Sequence, residues 1–275
     1  VELIRGRVAA ADPALEMAGS QALLRRASRG GAEHDALRIF RPTPMVAFGR
    51  SDANRPGFAA AAQACRDAGF TPVIRSAGGR AVACTSAALV LDHVQHDPSA
   101  QAGMTARFED YGAMLADVLR DVGVDAHVGE VPGEFCPGAH SVSARGVVKL
   151  VGTAQRIVRD AWLFSSVLII DDAPLLAPLL TSVYDALGLR FDPASVGAVS
   201  AEAPEVAVDL LEAALTAAYD ERFGLADVGW DPAVIAEARE NVADHRASGE
   251  RHRLGSPPAQ SGERAERQEG TARGQ

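Results

Sequence analysis

The sequence predicts an α/β fold whose neighbouring strands run largely antiparallel, on three observations. Apolar residues recur at helical spacing in "DPALEMAGSQALLRRAS" and "ARFEDYGAMLADVLRDVG". Short apolar runs bounded by Gly, Pro and Asp read as strands. Between residues 140 and 170 the strand-like runs are separated by short turns at Ala144–Gly146 and Arg159–Ala161, and such short connections join antiparallel neighbours. With 275 residues, of which 47% are hydrophobic, the chain can bury a substantial core. The expected organisation is one domain over residues 1–245 and a tail over 246–275.

In chain order, the helix "DPALEMAGSQALLRRAS" precedes strands "DALRIF" and "PMVAFGR" around the breaker "RPTP". "GFAAAAQACRDAGF" reads as a helix ended near Gly69, "TPVIR" as a strand, "SAGGR" as a tight glycine turn and "AVACTSAALVLDHV" as one or two further strands. The helix "ARFEDYGAMLADVLRDVG" and the strand "VDAHVG" follow, then three strands across "HSVSARGVVKLVGTAQRIVRDAWLFSSVLII". The last third reads as helices at "APLLAPLLTSVYDALGL", "APEVAVDLLEAALTAAYDERFG" and "DPAVIAEARENVADH", two of them opening with Pro, whose missing N–H is harmless in a first turn. From Arg246 onward the chain is polar and rich in Pro, Gly and Ser, a composition that predicts disorder.

A net charge of −9 and a pI near 5.3 argue against nucleic acid as a partner. No apolar run has the length of a membrane span, and "VELIRGRVAA" lacks the apolar centre of a signal peptide, so a cytoplasmic protein with no membrane partner is expected. Cys65, Cys84 and Cys136 form neither an even framework nor a CxxC pair.

Lys149 is the one lysine in a chain with 26 arginines. Compositional chance is one explanation. The other is chemical, since an ammonium is a compact point charge with an adjustable pKa and a guanidinium is a permanently charged fork. Cys136, in "VPGEFCPGAH", is bracketed by Pro132, Gly133, Pro137 and Gly138 and so lies on irregular backbone, as either a small buried hydrophobe or a nucleophile. Cys65 and Cys84 read as core. In "RSAGGRAV", Gly78 and Gly79 make either a hairpin turn or a loop whose N–H groups approach a ligand. The motif is neither a P-loop nor GxGxxG. His93, His96, His127 and His140 have no metal-ligand spacing, and no metal is expected; His140, four residues from Cys136, is the one local candidate base. The pairs Asp92/Asp97 and Asp171/Asp172 read as element ends.

Taken in order, "PMVAFGRSDANRPG", "VIRSAGGRAV", "EFCPGAHSV" and "VVKLVGTAQRIVRDAW" resemble the biotin/lipoate protein ligase and lipoyl/octanoyl transferase superfamily over about residues 1 to 225. The Cys-Pro-Gly ahead of the lysine is similar to the cysteine-dependent octanoyltransferases and lipoyl amidotransferases. The resemblance implies a mixed, largely antiparallel sheet flanked by helices, as in a lipoate-ligase-like catalytic domain. It also implies that Cys136 accepts the acyl group, that Lys149 orients the reacting carbonyl and lowers the thiol pKa, and that Arg75, Ser76, Gly78, Gly79, Arg80, Ala81 and Val82, with Gly152, Thr153 and Ala154, bind the acyl substrate. Implied further are an octanoyl or lipoyl group as substrate, an acyl carrier protein or lipoylated H-type protein as donor, a lipoyl domain as acceptor, and no required cofactor. Ser20 and Ser141 stand where family members often carry acidic residues. An ATP- and Mg²⁺-dependent lipoate ligase is the alternative, made less fitting by Ala83-Cys84-Thr85 in place of the ligases' Tyr-His-Asp-like run. A noncatalytic acyl-binding protein is a further alternative.

Overall fold

The computed structural model describes residues 1–9 and 12–247. The chain opens with β1 (Glu2–Arg5) and α1 (Pro13–Gly30), then β2 (Ala36–Phe40), β3 (Met45–Phe48), α2 (Arg50–Ala53), α3 (Phe58–Asp67) and β4 (Thr71–Ile74). Next come β5 (Val82–Cys84), β6 (Ala88–His96), α4 (Met104–Asp121), β7 (Ala126–Val128), β8 (Val142–Ala144), β9 (Val148–Val158) and β10 (Ala161–Ile169). The remainder is α5 (Ala173–Leu187), α6 (Val199–Glu202), α7 (Val208–Phe223), β11 (Ala226–Val228) and α8 (Pro232–Asn241).

Local chemistry sets the helix ends. Asp12 and Asp231 accept from Ala14 N–H and Ala233 N–H at the starts of α1 and α8, each ahead of a proline, and α5 stops where Gly188 turns left-handed at φ +63°. The larger sheet runs β11-β1-β2-β6-β10-β9-β8-β7, parallel through β11, β1 and β2 and antiparallel from there on, so the fold is α/β with a mixed, largely antiparallel sheet. Strand alternation divides its apolar side chains between two cores. Leu3, Leu37 and Ile39 face α4 and α7, whereas their neighbours Ile4 and Ala36 face α1 and α8. The second sheet, β4-β3-β5, packs with α3 and α5 around Phe48, Val73, Leu180 and Tyr184.

Four expectations need correction. Strands β1 and β11 are short, and neither carries the long alternating pattern by which a strand is read; each becomes a strand by pairing across more than two hundred residues. The "SAGGR" segment is no hairpin, because β4 and β5 flank β3 and never pair with each other, so the glycines carry the chain across the end of β3. Helix α7 begins at Val208, later than the apolar pattern suggests. Arg246 and Ala247, assigned to the tail, belong to the folded body: Arg246 bridges Val73 and pairs with Asp12, and Ala247 is buried against the smaller sheet. The rest of the expected tail, residues 248–275, lies outside the described residues. Among the described residues no helix is long and apolar enough to cross a membrane.

Candidate active site

Cys136 sits on the loop between β7 and β8, facing the glycine segment that leaves β4. Its backbone is left-handed at φ +44°, which is costly for a non-glycine residue and is held by bonds on both sides. The Cys136 N–H donates to Tyr184 Oη at 2.6 Å, and Tyr184 donates in turn to Ala81 O at 3.0 Å. The Cys136 carbonyl accepts from Lys149 Nζ at 2.8 Å, and Phe135 O accepts from the same ammonium at 3.0 Å. The thiol itself receives the Arg80 N–H at 3.1 Å and Arg75 Nη2 at 3.4 Å.

The glycine segment is shaped to allow that approach. Gly79 has φ +97°, and a Cβ there would stand 2.6 Å from Cys136 Sγ and 2.6 Å from Arg75 Nη2. A Cβ on Gly49 would strike Gly79 O at 2.0 Å, so two glycines let the β3 end, the crossing loop and the thiol meet.

The three cysteines separate electrostatically. Burial pushes the Cys65 and Cys84 thiols up to about 12, as expected of core residues. Burial also opposes ionisation of Cys136, but the charges of Arg75 and Lys149 and the Arg80 N–H outweigh it and bring that thiol below its ordinary value. Lys149, 1% exposed, is itself lowered by burial, with Glu134 at 3.3 Å and Cys136 opposing.

Beside the thiol lies a cavity of about 330 Å³, walled by Met104, Phe108 and Ala154 and by the loop from Cys136 to Ser141. Of the residues expected to hold substrate, Gly78, Gly79, Thr153 and Ala154 line it. Arg75 and Arg80 reach the thiol instead. Ser76, Ala81 and Val82 are buried and are not among the residues lining the cavity; Ala81 and Val82 pack into the smaller sheet's core. Gly152 lies against the Lys149 stem, where a Cβ would come within 3.3 Å of Cε. Lys149 is not among the residues lining this cavity: its ammonium donates to two main-chain carbonyls of the Cys136 loop and pairs with Glu134.

Sequence reasoning missed Glu134 and Tyr184. Glu134 Oε1 accepts from Gly138 N–H and Ser141 Oγ at 2.9 Å each, tying the Cys136 loop into a closed unit while Oε2 faces Lys149. An acidic residue two positions before the cysteine was the available signal. Tyr184 carried none, being one of several polar-tipped residues on an apolar helix. The two departures from acidic residues are absorbed locally: Ser141 donates to Glu134, and Ser20 donates to buried Asp92. The histidines scatter. His93 is buried among Tyr111, Trp162, Tyr219 and Phe223, with burial lowering it to about 3; His96 bonds Ala27 O; His127 pairs with Asp125; His140 is on the cavity wall. No group of three metal-ligating side chains occurs among the described residues.

Against known proteins, the family model described as the lipoyl protein ligase A/B catalytic domain matches residues 12–216. An octanoyl-GcvH:protein N-octanoyltransferase from Geobacillus kaustophilus is 29% identical over 131 residues, which are 47% of this chain and 46% of that protein. A protein of the same description from Exiguobacterium sibiricum is 33% identical over 130 residues, 46% of each. The matched segments thus span about half the length of these curated relatives. A lipoate protein ligase structure from T. acidophilum with bound lipoic acid superposes with a TM-score of 0.68 at 19% identity, covering 88% of this chain and 94% of its own. A lipoate-protein ligase A structure bound with ATP gives 0.67 at 18%, covering 87% and 94%. At these identities the structural likeness speaks to the fold alone.

Proposed function

The chain belongs to the lipoyl protein ligase A/B catalytic domain family, and from that premise we propose that it is an acyltransferase that carries an octanoyl or lipoyl group on Cys136 as a thioester and delivers it to a lysine of a lipoyl domain. The observation that carries the reading is the Cys136 thiol, held at the edge of an apolar cavity by two donors and brought below its ordinary pKa by Arg75 and Lys149. A depressed pKa supplies the thiolate, which is the attacking species. The names of the curated relatives support an octanoylated GcvH-type protein as donor.

In the first half of the reaction the Cys136 sulfur attacks the donor's acyl carbonyl. The C–S bond forms, the donor's thiol or lysine amine leaves, and the Arg80 N–H stands 3.1 Å from the attacking sulfur. In the second half the acceptor amine attacks the thioester carbonyl, the C–N bond forms, and the thiolate departs into the same positive surroundings. Starting from a thioester or a protein amide, this chemistry calls for neither nucleotide nor metal.

The test is an intact-mass measurement after incubation with an octanoyl-thioester donor, in EDTA and without ATP, beside a second reaction with free lipoate, ATP and Mg²⁺. An octanoyl adduct that is lost in Cys136→Ser, and that passes to an apo lipoyl domain, is the expected result. Product confined to the second reaction would replace transfer by ATP-driven ligation.

A further inference from the structure

Aminolysis of a thioester releases a proton, and the site as described so far has nowhere to put it. Attack by a neutral lysine amine leaves an N–H proton that must depart as the C–N bond forms and the C–S bond breaks. The thiolate is a poor receiver, since the charges that make Cys136 easy to ionise make it a weak base. Lys149 is a worse one, being 1% exposed and already donating to two carbonyls beside Glu134.

Of the residues that line the cavity, two have side chains that titrate: Cys136 and His140. The His140 ring lies flat on Phe108, with centroids 5.3 Å apart and planes 8° from parallel, and Phe108 is braced edge-on by Phe164 in the core. Its main chain is held as well, because Thr153 Oγ1 donates to His140 O, and Ser141 next to it is anchored on Glu134. Neither ring nitrogen of His140 engages a hydrogen-bond partner among the described residues, whereas the rings of His93, His96, His127 and His245 each do. A half-buried imidazole is thus fixed by stacking on the wall that holds the thiol, with both nitrogens uncommitted.

We propose that His140 is the acid–base residue of the transfer, an inference that rests on the acyl-cysteine reading of this site. In the second half-reaction the neutral imidazole takes the proton from the attacking amine as the thiolate leaves. Where the donor is a lysine amide, the imidazolium returns that proton to the departing amine nitrogen in the first half-reaction, so the proton count closes over one cycle. A thioester donor leaves as a thiolate and needs no such proton, which separates the two halves experimentally.

His140→Gln keeps bulk and polarity without a titrating nitrogen, and His140→Ala leaves room for free imidazole. With octanoyl-pantetheine as donor, whose leaving thiolate needs no proton, adduct formation in both variants is expected to fall at least about tenfold less than transfer does. Transfer from the preformed adduct to an apo lipoyl domain is expected to fall about a hundredfold, the usual loss on removing a general base, and added imidazole should restore part of it in His140→Ala. Transfer within threefold of wild type would overturn the proposal. So would a transfer defect that imidazole leaves untouched, which would make the ring a positioning group, and so would an equal fall in both half-reactions. A wild-type protein that never acquires the adduct would bring down the acyl-cysteine reading itself, and this inference with it.

Discussion

Arg38 and Lys149 are both sealed from solvent beside a buried carboxylate, yet their surroundings make them different objects. Arg38, on β2, pairs with Glu16, donates to Ser20 and lies 4.0 Å from Asp92, with its guanidinium 3.7 Å from the Phe40 ring centroid and 4.9 Å from that of Trp230. Its side-chain partners belong to packed elements: Glu16 and Ser20 to α1 and Asp92 to β6. Lys149, on β9, pairs with Glu134, but its other bonds go to the main chain of a loop whose thiol faces open space. A buried ion pair alone is weak evidence for a site. What distinguishes the Lys149 cluster is a thiol at its edge, beside a cavity, whose pKa the buried charge helps to lower.

The sharpest division between the two clusters is the reacting atom. Cys136→Ser is expected to abolish the acyl adduct and reduce transfer by on the order of a thousandfold or more, with folding little changed. Residual transfer near wild type, followed with an acylated donor, would remove the chemical meaning of the Lys149 cluster. Arg38→Met should act on stability instead. Breaking a buried pair from one side leaves Glu16 and Asp92 uncompensated and commonly costs about 3–5 kcal/mol; denaturant unfolding would measure it. The folded fraction should still acylate Cys136 within about threefold of wild type, and a specific loss of acylation would merge the two clusters into one functional unit.

Lys149→Arg keeps the charge and changes its shape. A planar fork cannot serve two adjacent carbonyls and Glu134 from the space of one ammonium, so acyl-enzyme formation should fall about a hundredfold, as for loss of one electrostatic stabiliser. Wild-type rates in Lys149→Arg would return the single lysine to compositional chance. The smallest effect concerns pH. Because the Cys136 pKa is lowered in the folded protein, the thiolate holds to lower pH than an ordinary thiol's does, and acylation is expected to be lost as pH falls through that lowered value. Arg75→Gln removes a cation 3.4 Å from Sγ, which raises the thiol pKa and moves the acid limb of the acylation rate upward by about one unit. A limb that stays in place would assign the lowering to Lys149 and the Arg80 N–H.

Much of this architecture is readable from local pattern. The periods of α1, α3, α4 and α5, the turns that make β8, β9 and β10 antiparallel, and the core character of Cys65 and Cys84 all follow from residues within a few positions of one another. Cys136, the paired glycines and Lys149 also stood out, because Pro and Gly around a cysteine, two glycines after a strand, and one lysine among many arginines are each unusual within a short window. Of the residues expected to hold substrate, Gly78, Gly79, Thr153 and Ala154 line the cavity, whereas Ser76, Ala81 and Val82 are buried outside its lining.

The rest was decided by long-range packing. Strand β1 exists because it lies between β2 and β11, and each of its three ladder partners in β11 is 224 residues away in number, a pairing that no local propensity encodes. Tyr184 reaches the Cys136 N–H across 48 residues because α5 packs on the smaller sheet. Arg75 reaches the thiol across 61 because Gly49 and Gly79 let two backbones touch. By itself the sequence determined which residues are candidates for chemistry and most of the elements they ride on, since residue type and hydrophobic period are local properties. The tertiary structure decided that Lys149 is sealed against the Cys136 loop while His140 lines the cavity, because direction and burial are set by what packs against a residue from elsewhere in the chain.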